Sequence, residues 1–233
     1  MKKILLLLCM THPVFADDAF VEANVVGIFY HELGHAVIHI EDIPVFGQEE
    51  DAADVFSIFL IDALFDPAVS ESLAFDAALG FWAEADTRGE SVAWWDVHGP
   101  DEQRFYNTVC LFYGADPTAR ASFAKDLELP KDRAEYCAEE YDQANAAWGP
   151  VLDNMIARGA GHSLTFSTQD SSLTSEILSA EIKALNAEMQ LSRPLEIKLE
   201  PCGEANASYD PEQEAITFCT EFENHLRELA DSL

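Results

Sequence analysis

Apolar positions recur at helical spacing along most of the chain. Between Asp18 and Ile40 they fall at Phe20, Ala23, Val26, Ile28 and Leu33, and Pro44 and Gly47 break the run. Gln48 to Leu64 predicts a second helix with a broad apolar face made by Ala53, Val55, Phe56, Ile58, Phe59 and Leu60. Asp66-Pro67 ends it, and Ala68 to Ala85, Pro100 to Tyr113 and Pro117 to Leu127 follow as further helices. Asp132 to Ile156 predicts a long helix interrupted at Gly149-Pro150. Gly159 to Ser172 is polar and glycine-rich and is expected to be a flexible loop carrying His162. Leu195 to Leu199 alternates as a strand, and Ala215 to Cys219 pairs either with it or with Ala205 to Tyr209. Glu221 to Leu229 predicts a closing helix. The pattern is that of a mainly helical α+β protein with a small β-hairpin near the C-terminus.

The first residues read differently. Lys2 and Lys3 precede a short apolar run, Ile4 to Met10, and Val14-Phe15-Ala16 then supplies a small residue before two aspartates. This is the layout of a signal peptide cleaved after Ala16, leaving residues 17–233 as one domain of an exported protein, periplasmic or secreted. The run is much shorter than the roughly 20 residues of a spanning helix. Cys9 has no small-residue lipobox before it, and no other stretch suits a membrane span.

Export makes the cysteines a disulfide question. Cys110, Cys137, Cys202 and Cys219 remain beyond the leader, an even number in an oxidising compartment. Of three pairings, the sequence-local one is expected: Cys110 with Cys137, and Cys202 with Cys219 across the hairpin. A four-cysteine zinc site needs close C-x-x-C pairs, and there are none. Charge removes another class of partner. Acidic residues outnumber basic ones 43 to 13, for a formal charge of −30. Nucleic acid and anionic membranes need a basic footprint that this chain lacks. The acidic surface is either simply solvated or attracts cationic peptides.

One motif carries chemistry. Residues 31–35 read HELGH within the first helix. Positions i and i+4 share a helix face, so the His31 and His35 imidazoles can converge on one cation, with Glu32 placed as general base toward an activated water. His39 continues the series, but eight residues span about 12 Å of helix, too far for one ion. The third ligand is then expected from the next helix, which opens with Glu49, Glu50, Asp51 and then Asp54. Glu50 and Asp54 share a face, which suits a ligand carboxylate plus a carboxylate accepting from a ligand imidazole Nδ1. Glu49 and Asp51 are expected to point elsewhere. A donor to the developing oxyanion is also required. His98, after Trp94-Trp95, is the candidate, with Tyr209 read as a turn residue packing on the hairpin.

These blocks resemble a family. HELGHA, a short P-V-F-G loop and EEDAAD are similar to the gluzincin plan, HExxH followed by ExxxD, and more closely to domain-of-unknown-function family 4344 of bacterial metallopeptidases. D-E-Q-R-F-Y-N-T-V-C-L-F-Y-G-A-D-P at 101–117 and C-G-E-A-N-A-S-Y-D-P with I-T-F-C at 202–219 extend the likeness over most of the chain. In that family the cysteine and N-A-x-Y block precedes HELGH; here it follows, as in a permuted chain. The resemblance implies a zincin-like helix pair holding Zn2+, and hydrolysis of peptide or protein substrates. The alternative is a non-catalytic zinc-binding module on the same scaffold. Substrate, cleavage preference and oligomeric state are not written in the sequence.

Overall fold

The first apolar run widens in the structure into a helix buried on nearly every side. Helix α1 (Ala16–Ile40) carries Val21, Val25, Val26, Phe29, Tyr30, Leu33, Ala36 and Val37, all with no exposed surface. A helix apolar all round belongs in a core, and α1 is the central post of this one. The computed structural model describes residues 16–89 and 91–233; the segment read as a signal peptide lies, apart from Ala16, outside the described residues. No helix among the described residues is long and apolar enough to cross a membrane.

Helix α2 (Glu49–Leu64) folds back along α1. Gly34 of the HELGH run sets how closely they approach. A β-carbon there would lie 3.0 Å from the Ala53 Cα and 3.2 Å from the Phe56 ring. Only glycine leaves that space, so α2 lies close enough for its first-turn acids to reach the α1 histidines. Helix α3 (Pro67–Arg88) packs on α1 and α2, and α4 (Asp101–Ala115) packs on α2, α3 and the long α6 (Lys131–Ala157). Between them, α5 (Ala121–Asp126) is shorter than expected, because residues 117–120 form a turn.

Two expectations change here. The helix α6 is continuous through Gly149-Pro150. Pro150 and Ala146, whose carbonyl loses its helical donor, are both exposed, so water can satisfy that carbonyl while Trp148 and Leu152 hold the buried face. The expected loop at 159–172 contains strand β1 (Leu164–Thr168). It is followed by α7 (Leu173–Glu188), in a segment to which no element was assigned. Ser172 caps α7 by accepting from the Ser175 N–H, and Ile177, Leu178, Ile182 and Leu185 bury its apolar face.

Strands β2 (Leu195–Glu200), β3 (Ala207–Asp210) and β4 (Ala215–Cys219) complete a four-stranded sheet in the order β1-β2-β4-β3. The two pairings left open for Ala215–Cys219 both occur: β4 runs parallel to β2 and antiparallel to β3. The hairpin β3–β4 thus has β3 on the sheet edge, lying along α1. Cys110 pairs with Cys137, tying α4 to α6, and Cys202 pairs with Cys219 behind the hairpin. Helix α8 (Phe222–Ala230) closes the chain against α1 and α3. The mainly helical α+β architecture stands, with the hairpin extended into a mixed sheet.

Candidate metal centre

One strip of α1 escapes the core. Asn24, Ile28, His31, Glu32, His35 and His39 line a cavity of about 910 Å³ whose other walls come from α2, α3, α4, α8 and β3. Within it the His31 and His35 Nε2 atoms lie 3.2 Å apart, and each is 3.2 Å and 3.1 Å, respectively, from Glu50 Oε2. Four-coordinate zinc with bonds of about 2.0–2.1 Å holds its ligand atoms about 3.3 Å apart. The triangle therefore fits a single ion, and the two-imidazole, one-carboxylate donor set suits zinc.

Carboxylates orient both imidazoles from behind. His31 Nδ1 lies 2.7 Å from Asp54 Oδ1, and His35 Nδ1 lies 2.8 Å from Glu49 Oε1. Each ring can donate its Nδ1–H to an acid and turn Nε2 into the cavity. Glu49 was expected to point away. It meets His35 because α2 runs back along α1, so its first residue lies opposite the second histidine while Asp54, further along, lies opposite the first. Asp51 is exposed, and its side chain makes no hydrogen bond among the described residues.

Arg104 of α4 is a participant the sequence reading missed. Its Nε and Nη2 donate to Asp54 Oδ2 and Oδ1 at 2.8 and 2.7 Å, and its guanidinium lies 4.2 Å from the centre of the Phe81 ring. The D-E-Q-R-F-Y block was the available signal, since a half-buried aspartate behind a histidine calls for a cation.

These contacts set the local acid–base balance. Burial lowers the His31 pKa, but its hydrogen bonds to Asp54 and Glu50 outweigh that and raise it to about 9. His35 also ends above its usual value, with burial opposed by Glu50 and Glu49. Glu50 is held far below the ordinary carboxylate range by hydrogen bonds from His31, His35 and His98. Glu32 behaves oppositely: burial raises its carboxyl pKa against the pull of His31 and His35. It is 7% exposed, lines the cavity and has no hydrogen-bond partner among the described residues.

His98 stands on the exposed loop between α3 and α4, where Asp96 accepts from its backbone N–H at 3.0 Å. Its Nε2 lies 2.9 Å from the same Glu50 oxygen, and His31, Glu50 and His98 form a group able to hold a metal ion. It thus stands among the donors, closer to the centre than an oxyanion donor alone would need to be. Tyr209 lies on β3 and not in a turn. It lines the cavity, its ring is 6.1 Å from that of His39, and its buried hydroxyl has no partner among the described residues. His39 is exposed and is not part of the donor triangle, whereas His162 lines a separate, smaller cavity beside α7.

Comparison with protein families gives one match. Residues 16–152 and 165–232 match domain-of-unknown-function family 4344, described as "Putative metallopeptidase". The chain belongs to this family. Searches of the curated proteins and of the solved structures returned no match. The family description and the donor cluster together imply a bound metal and a peptidase-like role.

Proposed function

We propose that this protein is an exported zinc-dependent peptidase, with His31, His35 and Glu50 as metal ligands and Glu32 as general base. The carrying observation is the donor triangle at 3.1–3.2 Å beside a carboxylate that no other side chain occupies. Zinc bound there supplies Lewis acidity, easing deprotonation of water and polarising a carbonyl. Glu32 would take the proton of the attacking water as the new C–O bond forms, and return it to the amine so that the peptide C–N bond then breaks. Its raised pKa suits a group that must both accept and release a proton. Asp54 and Glu49 hold the ligand rings in the tautomer that presents Nε2. His98, carried on a loop and 43% exposed at its side chain, can turn from Glu50 to donate to the substrate oxygen. The two disulfides support export to an oxidising compartment.

One observation favours a second reading. If His98 stays beside Glu50 as a fourth ligand, the coordination is closed, as in structural zinc sites. The chain would then be a zinc-binding module without turnover. A digest of a peptide library by the zinc-loaded protein and by Glu32→Gln separates the two. The peptidase reading expects cleavage by the first, and in Glu32→Gln full zinc content with activity down by several orders of magnitude. Equal results for both proteins would refute it.

A further inference from the structure

The cavity extends well beyond the metal donors. From Asn24 to His39 it follows sixteen residues of α1, or about 22 Å, with His31 and His35 near the middle. Its two arms differ. The His39 arm is bordered by Glu49 and by polar residues of the β3 edge. The Asn24 arm is mainly apolar: the Asn24 amide is turned to the Phe20 and Asp76 carbonyls, and the walls are Ile28 of α1, Ala77 and Phe81 of α3, and Phe222, Leu226 and Leu229 of α8. Leu226 and Leu229 are almost fully buried and give this arm a firm back wall, while Ile28 and Phe81 are half-buried at its opening. Ile28 lies one helical turn before His31, so the pocket opens directly beside the reacting centre.

Acids outnumber cations around this pocket, although Glu84 lies 2.5 Å from His225 Nε2 and Asp101 lies 3.7 Å from Arg88. Glu84 and Asp101 line the same cavity, and Arg104, the one arginine lining it among the described residues, is already bound to Asp54 through two hydrogen bonds. The whole chain adds a field of formal charge −30. A peptide bearing carboxylates near the scissile bond would bring like charges together, whereas lysine or arginine would be drawn in.

Resting on the peptidase reading, we infer the substrate class. The site takes basic peptides with a bulky apolar side chain next to the bond that is cut, and that side chain occupies the pocket between α1, α3 and α8. Each methylene removed from water in such a pocket is worth about fourfold in affinity, and leucine carries three carbons more than alanine. Phenylalanine or leucine should therefore be preferred to alanine by about 10–100-fold.

The test uses binding, so that it does not depend on turnover. Zinc-loaded Glu32→Gln protein is titrated with three matched fluorescent peptides: phenylalanine with lysine flanks, alanine with lysine flanks, and phenylalanine with glutamate flanks. The first should bind about 10–100-fold tighter than the second. It should bind at least about tenfold tighter than the third at low salt, with that gap shrinking in about 0.5 M salt. Ile28→Glu and Ala77→Leu, checked for zinc content and helicity, should each erase the phenylalanine preference, one by charge and the other by filling the pocket. Equal affinities for phenylalanine and alanine, a preference for glutamate flanks, retention of the preference in both folded variants, or no binding would each overturn the inference. If the selectivity appears while wild-type protein cleaves none of the three peptides, the pocket assignment stands and the peptidase reading falls.

Discussion

Removing the Asp54 carboxylate strips two neighbours of their partner at once. His31 Nδ1 loses its acceptor at 2.7 Å, and the Arg104 guanidinium loses both of its hydrogen bonds. Arg104 is 17% exposed at its side chain and Asp54 19%, so water reaches the pair only in part. Breaking a buried pair by deleting one member costs about 3–5 kcal/mol, and partial exposure argues for about 3 kcal/mol here. The His31 ring also loses the contact that fixes its tautomer, which on the proposed reading should weaken zinc binding by about 10–100-fold. Urea unfolding and chelator competition on Asp54→Ala measure the two effects separately. Adding Arg104→Met removes the stranded cation and should recover about 1–3 kcal/mol of stability without restoring zinc affinity. pH gives an independent check. Burial raises the Asp54 pKa, but Arg104 and then His31 more than offset this and hold the carboxyl below its usual range. Its contribution is thus complete above about pH 4 and is lost only as pH falls further. Zinc affinity within twofold of wild type, or no recovery in the double variant, would refute this account of the site.

The other predictions concern the neighbouring ligands, a buried acid and a disulfide. Chelator competition should show zinc affinity collapsing in Glu50→Ala, falling about tenfold in the half-exposed Glu49→Ala, and unchanged in Asp51→Ala. Glu181 is fully buried against Tyr30, and burial chiefly raises its pKa to about 7. Its stabilising contribution is full below about pH 4.5 and disappears as pH rises to about 7, a change of about 3 kcal/mol that urea melts should find flattened in Glu181→Gln. Replacing both Cys110 and Cys137 by alanine should cost about 2–5 kcal/mol in the same assay, because the bridge closes a separation of 27 residues.

How much was legible depended on how local each signal was. HELGH and the Glu50–Asp54 spacing are written within single helices, so helix periodicity alone placed those residues on common faces. The contact of Glu49 with His35 depends on the antiparallel register of two helices, which Gly34 and Ala53 set by close approach. Arg104 reaches Asp54 across fifty residues of sequence, and no spacing rule connects them. Strand β1 was hidden for a related reason: L-T-F-S-T is a strand because β2 lies beside it in parallel, and the surrounding glycines read as loop. Helix α7 was different, since a capping serine and four apolar residues at helical spacing stood in the sequence. Pro150 misled because the packing of Trp148 and Leu152 outweighs the cost of an interior proline, and the freed Ala146 carbonyl faces water.

On the proposed reading, the position of HELGH within α1 explains how a chain so rich in carboxylates would build a specific metal centre. An ion binds tightly where its donors are already held, since freezing free side chains opposes association. Here the freezing is done by folding. Helix α1 is fixed on its other faces by the core. Its close approach to α2 depends on Gly34 having no β-carbon, and Tyr30, next to His31, donates a 2.6 Å hydrogen bond to buried Glu181 of α7. His31 and His35 each have one ring nitrogen engaged by an acid, so the other has little choice of direction. Exposed acidic groups scattered over the surface offer an ion none of this, and they remain solvated. Selectivity for the one site therefore comes from the apolar helix beneath it as much as from the donors themselves. Substitutions in the α1 core that leave every ligand in place should act on metal affinity through ring orientation alone.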